Sequence, residues 1–181
     1  MGTQGRIVFQ ELHHTRSFKG QFVAALTEPI SSVTICSPFF DHLPAPFKDV
    51  IGFCNFMQKR GAQKIQIITR PPGSDRQAMT LEVAKILAAQ GVEIFIRANP
   101  YLHAKMYHFE YERGHFRSFV GSANFTLGGF ERNQELVAEM QGVGDDTACH
   151  RELDRMRSMN GAMPFNTWLA NGTPTGDEGH V

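Results

Sequence analysis

The sequence is short of cysteine, carries no excess of charge of either sign, and contains no long apolar run. Its three cysteines, Cys36, Cys54 and Cys149, lie far apart, are odd in number and lack Cys-x-x-Cys spacing. That excludes a disulfide framework or a zinc knuckle and points to reduced intracellular thiols. Lys plus Arg and Asp plus Glu are both 18, a net charge of zero, which argues against binding nucleic acid by bulk charge but leaves room for a local basic groove. No stretch approaches the roughly 20 apolar residues that cross a bilayer, and the opening MGTQGRIVFQELHH lacks the charged-then-apolar form of a secretory leader. Arg6 stands where a myristoylation motif wants Ser or Thr. The expectation is a cytoplasmic protein with no membrane contact. Internal repeats and low-complexity blocks are also missing.

What is present suits one core. The 181 residues are 41% hydrophobic, which predicts a single domain over residues 1–170 with a flexible tail at 171–181. QFVAALTEPI reads as a short amphipathic helix and SVTICSPFF as a buried strand. Apolar spacing from Ala45 to Arg60 predicts a helix stopped by Gly61, followed by the strand KIQIITR. QAMTLEVAKILAAQG and VEIFIRA repeat that order, so an α/β sheet with parallel pairings is expected. LHAKMYHF and FRSFVGS are separated only by EYERGH, too short for a crossover helix, and so form a hairpin. NQELVAEM is a further strand, and DDTACHRELDRMRSM a helix capped by Asp145 or Asp146.

The hairpin gathers chemistry. Side chains two apart on a strand face the same way, so His103 and Lys105 project together, as do Ser122 and Asn124. A turn centred near Glu112 and Arg113 sets His103 opposite Ser122 and Lys105 opposite Val120, with Leu102, Ala104, Met106, Phe119 and Gly121 on the other face. An ammonium with neutral hydroxyl and carboxamide donors suits phosphoryl oxygens. His103 is the nucleophile or general acid able to work near neutral pH, and Glu135 is the candidate acceptor to orient it. No Asp/Glu cluster predicts a Mg²⁺ site, so neither a metal nor a cofactor is expected in the chemistry.

HAK, GSANFT and NQE, in this order and spacing, resemble the HxK…GSxN…E signature of the phospholipase D superfamily, the HKD motif, and in particular its small single-motif nucleases. The resemblance implies an α/β/α sandwich, a mixed β-sheet flanked by helices on both faces. It implies attack by one histidine on phosphorus to give a phosphohistidine, with a second protonating the leaving oxygen. One motif per chain then implies a homodimer in which His103 of each subunit lines a shared site. Lys105, Ser122 and Asn124 become the phosphate ligands and Glu135 the orienter of His103. The sequence departs from the pattern at Glu110, where the family usually has Asp, and Glu110 is given only a structural role.

Other residues read more plainly. Arg70 and Arg97 end strands, where α/β sheets bind ligands, and are candidates for steering a nucleic-acid backbone as well as ordinary surface arginines; Arg132 reads as a surface arginine. Phe39 and Phe40 read as packing, with lining of the cleft as the alternative, His13 and His14 as a surface feature rather than a metal site, and His108 and His115 as exposed flanks of the turn. Trp168 anchors the last helix. The function expected is a metal-independent endonuclease that hydrolyses nucleic-acid phosphodiesters, DNA rather than RNA, with any sequence specificity supplied by a partner protein. The alternatives are a phospholipid-cleaving or phosphatidyl-transferring enzyme, and a non-catalytic nucleic-acid-binding subunit.

Overall fold

The chain opens with strand β1 (Arg6–His14), which runs straight into helix α1 (Thr15–Ala25). There follow β2 (Ile30–Cys36), α2 (Val50–Lys59), β3 (Lys64–Thr69), α3 (Leu81–Ala89) and β4 (Glu93–Arg97). Then come β5 (Met106–Tyr111), β6 (His115–Gly121), β7 (Leu136–Val143), α4 (Ala148–Ser158), β8 (Ala162–Pro164) and α5 (Phe165–Ala170). The computed structural model describes residues 5–158 and 161–172, so most of the expected tail lies outside the described residues.

All eight strands join one sheet in the order β1-β7-β6-β5-β2-β3-β4-β8. β2, β3 and β4 are parallel and the remaining pairings antiparallel. The parallel strands are almost wholly buried and rich in Ile and Val, as strands covered on both faces must be. Local signals start the crossover helices: the Asp49 carboxylate accepts from Gly52 N at 2.8 Å, and the Thr80 hydroxyl accepts from Val83 N at 3.2 Å. Gly61, at φ +93°, lets the chain turn out of α2 into β3.

The two faces are unequal. On one, α1, α2, α3 and α5 cover a large core in which Phe18, Phe22, Phe53, Tyr107, Phe119 and Phe125 are fully buried. On the other, α4 lays Cys149, Leu153 and Met156 over Cys36, Ile68, Met106 and Phe116. All three cysteines are unbridged and buried. Trp168 is buried in the larger core, as expected of an anchor. No helix among the described residues is long and apolar enough to cross a membrane.

Several expectations need correction. α1 begins six residues before QFVAALTEPI, and Ile30 at that segment's end already belongs to β2. His13 is no surface feature: it lies on β1, buried, with Nε2 2.6 Å from Glu139. The hairpin closes one residue later than expected, through Glu112–Gly114, where Arg113 (φ 61°) and Gly114 (φ 71°) both take left-handed conformations. Met106 therefore pairs with Val120 and Tyr107 with Phe119. A slip of one residue exchanges faces on one strand, so Phe119 shares a face with Tyr107 and Lys105 rather than with Met106. His108 is buried at 1% exposure, while His115 is exposed as expected. Neither Asp145 nor Asp146 caps α4; Thr147 precedes its first residue, and Asp146 pairs with Arg151 at 2.6 Å.

Candidate active site

Strand register brings the motif to one edge of the sheet. Cys36 pairs with Met106, Met106 with Val120 and Val120 with Ala138, so four neighbouring strands have their ends or beginnings in line. The residues just beyond that row are Ser37 after β2, His103 and Lys105 before β5, Ser122 and Asn124 after β6, and Glu135 before β7. These residues are distant in sequence, and the change from parallel to antiparallel pairing at β2 and β5 is what collects them.

His103 is exposed, whereas Lys105 is 7% exposed. The Lys105 ammonium lies 3.0 Å from Nδ1 of His103 and donates to its carbonyl oxygen at 2.8 Å, tethering the loop that carries the imidazole. Burial lowers the pKa of Lys105, while the nearby Glu135 carboxylate acts in the opposite sense.

A second chain of contacts lies beside the first. The Ser122 hydroxyl donates to Glu135 Oε2 in a short hydrogen bond and accepts from Leu136 N at 3.1 Å. Asn133 Nδ2 donates to Glu135 Oε1 at 3.1 Å. Glu135 thus holds Ser122 and Asn133, and within the described residues its hydrogen bonds do not reach His103. Among the described residues the buried Asn124 Oδ1 has no hydrogen-bond partner. Gly129 permits that position: a Cβ there would fall 2.2 Å from the Asn124 carbonyl oxygen. Below, the Ser37 hydroxyl donates to Phe39 O at 2.9 Å and accepts from Phe125 N at 3.1 Å, and the Tyr107 hydroxyl donates to Ala123 O at 2.6 Å. GSANF is therefore stitched to the ends of β2 and β5.

Sequence reasoning missed two positioning residues. Asn133 was legible, since the N-x-E spacing puts its amide beside the acid. Thr15 was not: its hydroxyl donates to Asn133 O at 2.6 Å and accepts from Glu135 N at 2.9 Å, across 118 residues of chain.

The candidate arginines part company. The Arg70 guanidinium lies between aromatic rings, 4.6 Å from the Tyr101 centroid and 5.4 Å from that of Phe39, with Asp75 at 3.8 Å. Tyr101 is 56% exposed. Arg97 is buried at 5% exposure, within electrostatic reach of Cys36 and of Glu152 on α4. Its burial takes it out of the substrate-contacting set. Arg132 lines a cleft of about 570 Å³ together with Asn124, Asn133, Phe39 and His42, a more pointed place than the surface role read for it. Phe39 borders that cleft, while Phe40 packs on Phe125 at a ring distance of 5.8 Å.

A family model described as "Cardiolipin synthase, PLD-like domain" matches residues 22–157, most of the chain and every one of the motif residues above. The chain belongs to the phospholipase D-like family. Members of this superfamily are phosphodiesterases, and the mixed sheet between helices is their fold. Among solved structures, the phospholipase D family member Nuc from Salmonella typhimurium superposes with a TM-score of 0.56 at 18% identity, over 87% of this chain and 99% of that one. NucT from Helicobacter pylori gives 0.55 at 18% identity, over 90% and 100%. Phosphatidylserine synthase of Haemophilus influenzae gives 0.54 at 8% identity, over 86% of this chain and 39% of that one. At these identities the likeness is one of fold. No curated protein matches the sequence significantly.

Proposed function

We propose that the chain is a nuclease: a phosphodiesterase that cleaves nucleic acid, DNA in preference to RNA, without a catalytic metal. The observation that carries this reading is an exposed His103 imidazole tethered to a buried lysine, at an edge where Asn124 brings a carboxamide donor and Ser122 is held by Glu135. His103 attacks phosphorus, Lys105 and the Asn124 carboxamide hold the non-bridging oxygens, Ser122 joins them by turning its O–H from Glu135 to the phosphate, and water releases the phosphohistidine. The neighbouring surface fits a strand of nucleic acid. Tyr101 over Arg70 presents a stacking face backed by a cation, and Arg132 offers a phosphate contact across the cleft.

The leaving oxygen needs a proton donor, and a second copy of the chain supplies it through its own His103. Leu12 at 66% and Leu136 at 51% exposure lie on neighbouring strands beside Glu135, an apolar strip that a homodimer covers. Glu135 acts in this scheme by holding Ser122 and Asn133. The cytoplasm is the expected compartment, and a partner protein would confer any sequence specificity.

Cleavage of labelled single- and double-stranded DNA in excess EDTA, with wild type beside His103→Ala, tests the reading. Activity that survives EDTA and vanishes in the variant is the expected result; absence of cleavage by wild type would sink it. Mixing wild type with His103→Ala tests the shared site: if two His103 residues serve one centre, activity falls as the square of the wild-type fraction rather than linearly. The description of the matched family model favours one competing reading, the same chemistry on a phospholipid, which release of headgroup from vesicles would reveal. DNA binding with no turnover would mark a non-catalytic subunit.

A further inference from the structure

A second cluster of histidines and acid occupies the far end of the β5–β6 hairpin and takes no part in the site above. His108 lies an odd number of residues from Lys105, so the two side chains leave the hairpin on opposite faces. His108 Nε2 and His150 Nε2, the latter from α4, approach the same Glu110 oxygen, Oε1, at 3.6 and 3.5 Å. Behind each ring, Nδ1 is tied to a hydroxyl, His108 to Ser118 and His150 to Thr147, both at 2.7 Å. The two rings stand at 83° with centroids 4.7 Å apart, and the three candidate ligand atoms lie within 4.8 Å of one another. His108 Nε2, in a residue only 1% exposed, has no hydrogen-bond partner among the described residues.

The distances decide between two explanations. A ring N–H donating to a carboxylate comes within about 2.7–2.9 Å, and in this same protein His13 Nε2 lies 2.6 Å from Glu139. Neither His108 nor His150 approaches so closely to Glu110. Ligands bound at about 2.1 Å around a tetrahedral ion stand about 3.4 Å apart, whereas octahedral neighbours stand about 3.0 Å apart. The two separations from Glu110, 3.5 and 3.6 Å, lie nearer the tetrahedral value, and the third pair stands within 4.8 Å.

We propose that His108, Glu110 and His150 form a tetrahedral site for one divalent transition ion, Zn²⁺ by its ligand chemistry, with water as the fourth ligand. Ser118 and Thr147 each accept the Nδ1 proton, which leaves both Nε2 lone pairs for the metal. The Glu110 side chain, 39% exposed, gives the ion a way in. Arg157, within electrostatic reach of His108, is engaged by Gln66 and Asp154 at 2.5 Å each. The other acid–imidazole trio, Glu11, His13 and Glu139, is unsuited to a cation because Arg117 already sits 2.5 Å from Glu139. The ion would tie α4, the helix over the smaller core, to β5, so its binding energy would add to the stability of the fold.

The full chain, stripped with EDTA and desalted, is titrated with ZnCl2 by calorimetry and melted with and without the ion, and Co²⁺ is added to a parallel sample. The expected results are one Zn²⁺ per chain, a rise in Tm of about 5 °C or more at saturation, and the intense visible bands of tetrahedral Co²⁺. Glu110→Gln, nearly isosteric and half-exposed, and His150→Ala should each weaken binding about ten-fold or more, with circular dichroism confirming that both fold. His115→Ala, at an exposed histidine of the same hairpin, should leave binding unchanged. Binding that persists at full strength in Glu110→Gln and His150→Ala, or a wild-type Tm indifferent to zinc, overturns the site. Weak octahedral cobalt bands overturn its geometry.

Discussion

The two ends of the antiparallel half-sheet, built from the same strands, invest their polar groups differently. At the end where β5 begins and β6 finishes, an exposed His103 and a Lys105 with its ammonium drawn toward the imidazole leave capacity for a substrate. Farther along the same strands, Arg117 donates to Glu139 at 2.5 Å and to Gln21 at 2.5 Å, His13 closes on Glu139 at 2.6 Å, and Gln141 donates to Glu139 at 2.6 Å. That second network is closed upon itself. Unspent hydrogen-bonding capacity in a partly exposed place marks a site for something else, whereas charges that satisfy one another hold elements together.

The separation can be attacked from both sides. The largest effect expected is on activity alone: His103→Ala should lower kcat about 10³-fold or more and leave Tm within a degree or two, read by cleavage assay and calorimetry. A large loss of Tm would show that the exposed imidazole also supports the fold. Next, Glu139→Ala should cost about 3–5 kcal/mol of stability by leaving Arg117 buried without its counter-charge, while activity per folded molecule holds. Urea unfolding measures the first quantity and active-site titration the second.

Tyr101→Ala tests the edge of the substrate surface. Loss of a stacked base should weaken binding of single-stranded DNA by about 1–3 kcal/mol, with kcat little changed; fluorescence anisotropy against an abasic strand, which the variant should bind as well as wild type does, isolates the effect. The smallest effect concerns acid. In the metal-free chain, where the rings carry their protons on Nε2 instead of Nδ1, the His108 imidazole, and after it that of His150, hold the Glu110 carboxyl well below the ordinary value of 4.5. The folded chain therefore binds fewer protons there than the unfolded chain, so the stabilisation is complete above that value and drains away as pH falls beneath it. Glu110→Gln should accordingly flatten the plot of Tm against pH between about pH 5 and 2 and change little at neutrality.

Much of the parallel half was legible because β2, β3 and β4 are continuous apolar runs separated by helices with recognisable caps and stops. β1 was not, since an edge strand paired on one side buries little and RIVFQELHH shows no clean alternation of burial. β8, three residues long, has no period to read. The hairpin was foreseen but its register was not, because a three-residue closure with two left-handed positions moves every pair by one. His103, Lys105, Ser122, Asn124 and Glu135 could be picked out because they are grouped within 33 residues of sequence. The burial of Arg97 and the service of Thr15 depend on contacts with α4 and with the segment before β7, which local pattern does not encode.

The bridge from Thr15 to Asn133 and Glu135 also bears on how the protein comes into being. A chain leaving the ribosome displays Thr15, and later His103 and Lys105, well before the acid that Thr15 will grip has been translated. Nascent and prematurely terminated polypeptides thus lack the assembled edge that joins Ser122, Asn133 and Glu135, which is complete only once synthesis has passed Glu135.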